Sequence, residues 1–135
     1  MSNLDDPLEP APDGSSSARF LNLIFEKAMP LGASVIRIEP AGERIQVSGR
    51  VNGTLVPLIE AQRSAVPSIV GHVKKMCKMD VAEERLPQNG RLRLRLPGGE
   101  ATFAVTTLPG LDGEAVVLRR LDTPEAHIDR VEDPP

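Results

Sequence analysis

The spacing of apolar residues predicts a helix near the start of the chain. Phe20, Leu21, Ile24, Phe25 and Ala28 recur on one helical face. The serines at positions 15–17 can cap the amino end of such a helix, and Pro30 and Gly32 would end it. We therefore expect the first helix to end before Pro30.

After this helix the apolar period changes to two, which predicts half-buried strands. Three strands are predicted, at residues 34–39, 44–51 and 54–59. Asn52-Gly53 separates the last two and is typical of a tight hairpin, because both positions of a type I′ turn need positive φ. Pro57 cannot donate a ladder hydrogen bond, so the third strand is expected at the edge of a sheet or to end there.

The second half of the chain repeats this order of elements. A second helix is predicted from near Ser64, with Pro67 in its first turn. Its apolar stripe is Ile69, Val70, Val73, Met76 and Cys77. The residues expected to face mostly away are His72, Lys74, Lys75 and Lys78. A short turn with Asp80 and Glu83 at capping-box spacing follows.

A loop at residues 86–90 precedes three further strands, at residues 91–96, 101–107 and 114–121. The order is then α-β-β-β-α-β-β-β. Strands joined by short hairpins are antiparallel, and their apolar face needs helices to cover it. The pattern predicts an α+β sandwich with a mostly antiparallel sheet of about six strands covered by two helices.

Charge divides the chain of 135 residues into three parts. The formal net charge is −3, but residues 1–17 and residues 122–135 each sum to −4, which leaves +5 on residues 18–121. Both ends are also rich in proline. We expect disordered acidic tails at residues 1–17 and 123–135 around one folded basic domain at residues 18–122.

Composition excludes several classes of protein. The only aromatic residues are three Phe, so a base-stacking nucleic-acid platform is poorly supplied. No apolar run approaches the ~20 residues of a membrane span, and the acidic amino end does not resemble a secretory signal. One Cys and two His do not make an ordinary zinc site, so no metal is expected. These features favour a cytoplasmic location.

No residue set predicts catalysis. The Walker A pattern and the GxGxxG pattern, which cradle phosphates, are both absent. Cys77 lies on the apolar stripe and five residues from His72, which indicates a buried structural thiol rather than a nucleophile. Glu83 and Glu84 are adjacent and do not face each other on a helix, so capping is favoured over acid–base work. We expect no enzyme activity from this chain.

A cluster of arginines is the candidate functional feature of the sequence. Arg85, Arg91, Arg93 and Arg95 lie within eleven residues, with Lys74, Lys75 and Lys78 nearby. One interpretation is a solvated strand face that opposes aggregation. The other is a surface that meets anions, either the phosphates of a nucleotide held elsewhere or the carboxylates of a partner. Nucleic acid is not favoured, because the basic core carries only +5 and no exposed aromatics are expected.

Four segments resemble the type II secretion and type IV pilus assembly ATPases. Residues 33–40 (ASVIRIEP) are similar to the family stretch ASDIHIEP, and residues 49–55 (GRVNGTL) to its R-x-DG-x-L hairpin. Residues 78–91 (KMDVAEERLPQNGR) resemble LDIAEKRLPQDGR. Residues 105–119 resemble VSTLP…GERVVLR. The resemblance covers residues 18–122, in order and with the family spacing.

The resemblance implies the domain just before the ATPase core, which is similar to a PAS-like sandwich. In the family, this domain packs on the RecA-like core in a hexameric ring and couples nucleotide state to ring motion. The expected partner is a secretion or pilus ATPase core or another apparatus protein, with a homo-oligomer also allowed. ATP or ADP would be contacted only together with that core, and the inner membrane only through partners. The residues implied to face nucleotide or partner are Arg85, Gln88, Arg91, Arg93 and Arg95.

The chain also departs from the family pattern. Val35 and Arg37 stand where the family has Asp and His, and Ala104 and Ala115 stand where it has arginines. The last two changes remove two expected nucleotide contacts. We expect a non-catalytic regulatory or assembly domain. Two alternatives remain: a fragment of a diverged secretion ATPase, and a stand-alone PAS-like sensor with a ligand or nucleotide pocket between sheet and helices.

Overall fold

The helices and strands appear in the predicted order. The computed structural model describes residues 16–65, 69–96 and 99–121, and the predicted tails lie outside these ranges except for Ser16 and Ser17. The α+β fold class is confirmed. The described elements are α1 (Ser16–Ala28), β1 (Val35–Ala41), β2 (Arg44–Val51), β3 (Thr54–Gln62), α2 (Ile69–Met76), β4 (Gln88–Leu96), β5 (Gly99–Leu108) and β6 (Ala115–Arg120).

The strands form one antiparallel sheet built from two meanders. Its order is β3-β2-β1-β6-β5-β4, so each meander keeps its three strands together and the two meet where β1 pairs with β6. Ile36 lies opposite Leu118 at this central pairing. The strands β3 and β4 are the two edges of the sheet.

The hairpin between β2 and β3 has the predicted backbone. Asn52 has φ 54° and Gly53 has φ 81°, as a type I′ turn requires. The predicted edge position of β3 is confirmed. The register shifts where Val47 and Ser48 face Ile59 and Pro57, which leaves Leu58 as the extra residue of a bulge. Proline and a bulge are both ways of blunting an exposed edge.

Alternation of side chains builds the core on one face of the sheet. Alternate residues of the strands are buried against α1 and α2, and the rings of Phe25 on α1 and Phe103 on β5 lie with centroids 5.4 Å apart. The buried hydrophobic residues of the sheet are Ile36, Ile38, Ile45, Val47, Leu92, Leu94, Ala101, Phe103, Val105, Val116 and Leu118. The helices cover this face only, and the other is called the open face below.

The second helix and the fourth strand do not begin at the predicted residues. Arg63–Ala65 forms a 3₁₀ turn rather than the start of the second helix, and α2 is described from Ile69. Pro67 lies outside the described residues. The strand β4 begins at Gln88 instead of residue 91, because Gln88, Asn89 and Gly90 pair with β5. A local pattern of polar residues and glycine indicated a loop there, and long-range pairing overrides it.

Candidate functional site: an arginine-lined sheet face

The carboxyl end of α2 fixes the loop that leads into β4. Met79 N–H donates to the Lys74 carbonyl (2.8 Å) and Lys78 N–H to the Lys75 carbonyl (3.1 Å), which together form a Schellman motif. Lys78 adopts φ 62° at the position that usually holds glycine. The chain therefore turns sharply at Lys78, in a conformation that costs a non-glycine residue about 1 kcal/mol.

Gln88 organises the same loop from its far end. Its Oε1 accepts from Asp80 N–H (2.9 Å), and its Nε2 donates to the Asp80 carbonyl (2.9 Å) and the Glu83 carbonyl (3.4 Å). Asp80 Oδ1 accepts from Ala82 N–H at 3.0 Å, and Glu83 Oε2 accepts from Arg85 N–H at 2.7 Å. Asp80 and Glu83 thus stabilise a turn, and no reciprocal capping box forms between them within the described loop.

The burial of Lys74 shows that one sequence prediction was wrong. It was expected to face mostly away from the core, but its side chain is only 1% exposed. Its Nζ lies 2.8 Å from Glu114 Oε2 and donates to the Glu83 carbonyl. The helical period already contained this signal, because Lys74 follows Val70 by four residues and precedes Cys77 by three. The pair joins α2, the loop and the start of β6.

The arginines of β4 lie together on the open face. Leu92 and Leu94 are buried, so the alternating Arg91, Arg93 and Arg95 project from the other side and are exposed. Arg95 Nη2 lies 3.6 Å from Glu100 Oε2, across the β4–β5 hairpin. Among the described residues, no carboxylate lies within 4 Å of the guanidinium of Arg91 or Arg93.

The five predicted site residues do not form one cluster. Arg91, Arg93 and Arg95 share the open face, whereas Gln88 lies on the opposite side of β4 and is engaged within the loop. Arg85 projects from the loop with 88% of its side chain exposed, 3.7 Å from Glu83. The side chain of Gln88 thus holds the loop together. Its contact with a nucleotide or a partner stays a prediction.

Strand register places further arginines on this face that the sequence reasoning missed. The open face carries the odd-numbered residues of β1, β4 and β6 and the even-numbered residues of β2 and β5, by their alternating burial. Arg37, Arg50 and Arg119 therefore lie on the same face as the arginines of β4. Strand alternation in the sequence already indicated that these arginines are exposed. Only the pairing of β1 with β6 places β1 and β2 in the same sheet as β4, β5 and β6.

One row across the sheet contains three arginines at regular intervals. It runs Leu55, Arg50, Val35, Arg119, Ala104 and Arg91, each residue directly opposite the next on the neighbouring strand. Adjacent strands lie about 4.8 Å apart, so successive arginines in the row are separated by about 10 Å at their Cα atoms. The intervening residues are apolar and half-buried.

All four departures from the family pattern fall on this open face. Val35 and Ala104 flank Arg119 in the row, one on each side. Arg37 lies in the next row, opposite Val117, and Ala115 lies two residues before Val117 on β6. The positions where this chain differs from the quoted motifs therefore share one face of the sheet, although they are spread over eighty residues of sequence.

The predicted buried thiol is confirmed. Cys77 lies on the helix side of the sheet, where burial raises the pKa of its thiol to about 11. Such a thiol is protonated at neutral pH and is a poor nucleophile. Gly90 of β4 approaches it closely, since a Cβ added at Gly90 would lie 3.0 Å from Cys77 Cβ.

A shallow concavity lies at the other edge of the sheet, along β1, β2 and β3. Its lining includes Glu39, Gln46, Ser48, Leu55, Pro57 and Glu60. Glu60 is hydrogen-bonded by Arg44 (3.1 Å), which lowers the pKa of the Glu60 carboxyl. This concavity does not lie between the sheet and the helices, where a sensor pocket was expected. Core side chains pack the described part of that layer.

The comparisons with known proteins agree with the quoted motifs. The family model for type II/IV secretion system protein matches residues 11–132. Type II secretion system protein E of Xanthomonas campestris is 40% identical over 120 residues, covering 87% of this chain and 21% of that protein. Protein E of Pseudomonas aeruginosa is 40% identical over 110 residues, covering 82% and 22%. Type II secretion system ATPase E of Vibrio cholerae is 35% identical over 125 residues, covering 93% and 25%.

The match over most of the chain is to bacterial secretion proteins. The chain belongs to the type II/IV secretion system protein family. It spans 21% to 26% of the length of the curated relatives it matches. No helix in the described ranges has the length and apolar character needed to cross a bilayer.

Proposed function

We propose that this domain is a non-catalytic regulatory and assembly module of the secretion machinery. It docks on a secretion ATPase core, or on another protein of the apparatus, and couples the nucleotide state of that core to motion of the ring. Its match to about a quarter of each relative supports this role, since the rest of each relative remains available for catalysis. The proposal covers a core in the same polypeptide and a core in a separate chain.

The observation that carries the proposal is the unneutralised arginine surface. Arg91, Arg93 and Arg119 are exposed on one face, and no described carboxylate neutralises them. Guanidinium groups are suited to carboxylates and phosphates because they present several fixed donors. Arg85 extends this surface at the loop before β4, and Arg95 does so at its far end.

ATP or ADP contact belongs to the assembled state in this proposal. The described residues offer no phosphate-cradling loop, and the arginines lie on an exposed sheet face. Arg85 or Arg91 contacts the phosphates of a nucleotide that is bound on the partner core. Assembly into a ring and attachment to the inner membrane would likewise come through partners, and neither metal nor cofactor is assigned to the domain itself.

Co-purification with secretion ATPases of the host tests the proposal. The tagged chain is expected to recover at least one of them, with recovery reduced by Arg91→Ala. Arg19→Ala is the matched control, because Arg19 is an exposed arginine on α1, in the helix layer away from the open face. Recovery of no secretion ATPase or apparatus protein would contradict the docking role. ATP hydrolysis by the pure chain would contradict its non-catalytic character.

A further inference from the structure

Arginines alternate with short apolar side chains across the open face. Val35, Ala104 and Val117 are half-buried side chains at the centre of the sheet, on β1, β5 and β6. In the row described above, exposed Leu55 lies at the β3 end and Arg91 at the β4 end, with Arg50 and Arg119 between them. Protein interfaces are enriched in arginine relative to the rest of the surface, so a face that offers both arginines and apolar side chains is suited to a polypeptide partner.

The charge on this face is not balanced within the described part of the domain. Arg37 is paired with Glu39, at 2.5 Å between Nη2 and Oε2, and Arg95 lies near Glu100. Arg91, Arg93 and Arg119 have no such partner among the described residues. Like charges that are close neighbours on a sheet repel one another, so an anionic partner would gain from all three at once.

We propose that the open face binds an acidic amphipathic polypeptide segment that crosses the strands along the row from Arg50 to Arg91. This inference rests on the proposed docking role and names the chemistry of the partner. Carboxylates of the segment meet Arg50, Arg119 and Arg91. Its apolar residues pack on Val35 and Ala104 between them.

The spacing of the arginines favours a polypeptide over a nucleotide. One phosphate is bound by donors that converge on it, whereas the three arginines of the row lie about 10 Å apart across the strands. Seven residues of an α-helix rise about 10.5 Å, so one carboxylate in each heptad matches this interval. The small Ala104 side chain also leaves room for a partner side chain to approach the sheet.

The same features argue against a lipid surface. Binding at a bilayer interface uses protruding aromatic or large aliphatic side chains that enter the acyl region. Leu55, at the β3 end of the row, is its one large exposed aliphatic side chain. Val35, Ala104 and Val117 are short and half-buried, whereas Arg91 and Arg119 are exposed. This shape suits a partner that brings its own protruding apolar residues.

A labelled peptide titration tests the inference. The probe is a fluorescein-labelled helical peptide of about 20 residues with Glu at every seventh position and Ala or Leu beside each Glu. The control peptide has the same composition with its Glu residues adjacent. The full chain is expected to bind the spaced peptide more tightly than the clustered one, and amide resonances of Val35, Ala104 and Arg119 are expected to shift on binding.

Variants locate the binding on the open face. Arg91→Glu with Arg119→Glu is expected to weaken binding of the spaced peptide by about tenfold or more. Arg19→Glu makes the same charge change on α1 and is expected to leave binding unchanged. Circular dichroism checks folding, and Arg91→Gln with Arg119→Gln replaces the reversed pair if that pair does not fold.

Several results would overturn the inference. Equal binding of the two peptides would show that binding depends on charge and not on the spacing of the carboxylates. Unchanged binding by the double variant would show that the peptide does not bind the open face. Tighter binding to vesicles of phosphatidylcholine with phosphatidylglycerol, or to ATP, would assign the face to another ligand. A chain that binds the spaced peptide but recovers no secretion ATPase would contradict the proposed function alone. Recovery that the double variant leaves intact would contradict binding through the open face, and with it the inference, while a docking role through another surface would stand.

Discussion

Lys74 Nζ lies 2.8 Å from Glu114 Oε2 in the interior of the domain, where Lys74 is 1% exposed and the Glu114 side chain 11% exposed. The same ammonium group donates to the Glu83 carbonyl. One buried cation therefore holds the helix α2, the loop before β4 and the start of β6 in a fixed arrangement. The loop carries Arg85, and β4 carries Arg91, so this contact supports the surface that is proposed to dock.

Removing only one member of this pair should strongly destabilise the fold. Lys74→Met leaves Glu114 without its counter-ion and is expected to lower the free energy of unfolding by about 3–5 kcal/mol. Lys74→Met with Glu114→Leu should recover much of that loss, because neither charge then remains buried. Urea denaturation of both single variants and the double variant measures this. A loss of unfolding free energy below about 0.5 kcal/mol in the single variants is the size expected of an exposed site. It would contradict the structural role of the Lys74–Glu114 pair.

The left-handed residue at the end of α2 offers a stabilising change. Lys78 has φ 62°, so Lys78→Gly relieves backbone strain and is expected to raise the free energy of unfolding by about 1 kcal/mol. Lys75→Gly is the control, since Lys75 is an exposed helical residue and glycine there should cost about 1 kcal/mol. Thermal and chemical unfolding measure both. Destabilisation by Lys78→Gly would show that the lysine side chain matters more than its backbone strain.

The close approach of β4 to the end of α2 requires glycine. A Cβ at Gly90 would lie 3.0 Å from Cys77 Cβ and 3.2 Å from the Cys77 carbonyl oxygen. Gly90→Ala is expected to destabilise the domain by about 1–3 kcal/mol, because a backbone oxygen can yield little space. Arg91→Ala, on the exposed side of the same strand, should change stability by less than about 0.5 kcal/mol. Similar unfolding midpoints for the two variants would refute this packing constraint.

Two neighbouring threonines should respond to valine in opposite directions. Thr107 is fully buried, and its Oγ1 has no hydrogen-bond partner among the described residues. Thr107→Val is expected to stabilise the domain by about 1 kcal/mol, because an unpaired hydroxyl is no longer desolvated. Thr106 Oγ1 donates to Asn89 Oδ1 at 2.7 Å, so Thr106→Val should destabilise it by about 0.5–1 kcal/mol. Destabilisation by both variants, in urea titrations, would indicate a partner for the Thr107 hydroxyl.

Much of the fold could be predicted from local pattern. The apolar period distinguishes α1 from β1, Asn52-Gly53 fixes the β2–β3 turn, and Pro57 indicates an edge strand. These features depend on backbone chemistry and burial within a few residues of sequence. The order of all eight elements follows from them, and so does the antiparallel pairing within each meander.

The candidate surface could be predicted only in part. The strict alternation of Arg91, Arg93 and Arg95 with leucines indicates an exposed arginine strand. The placement of Arg119 beside Val35 depends on the pairing of β1 with β6, which joins residues far apart in sequence and has no local signal. The burial of Lys74 depends on Glu114, which arrives from another element. Long-range contacts determine both features.

The affinity of the full chain for the purified RecA-like core of a type II secretion ATPase tests the central claim most directly. Isothermal titration calorimetry should show binding that Arg91→Glu with Arg119→Glu weakens by about tenfold or more, while Arg19→Glu leaves it unchanged. Absence of binding would contradict the docking role. Equal affinity of the wild-type chain and the double variant would contradict docking through the arginine-lined face.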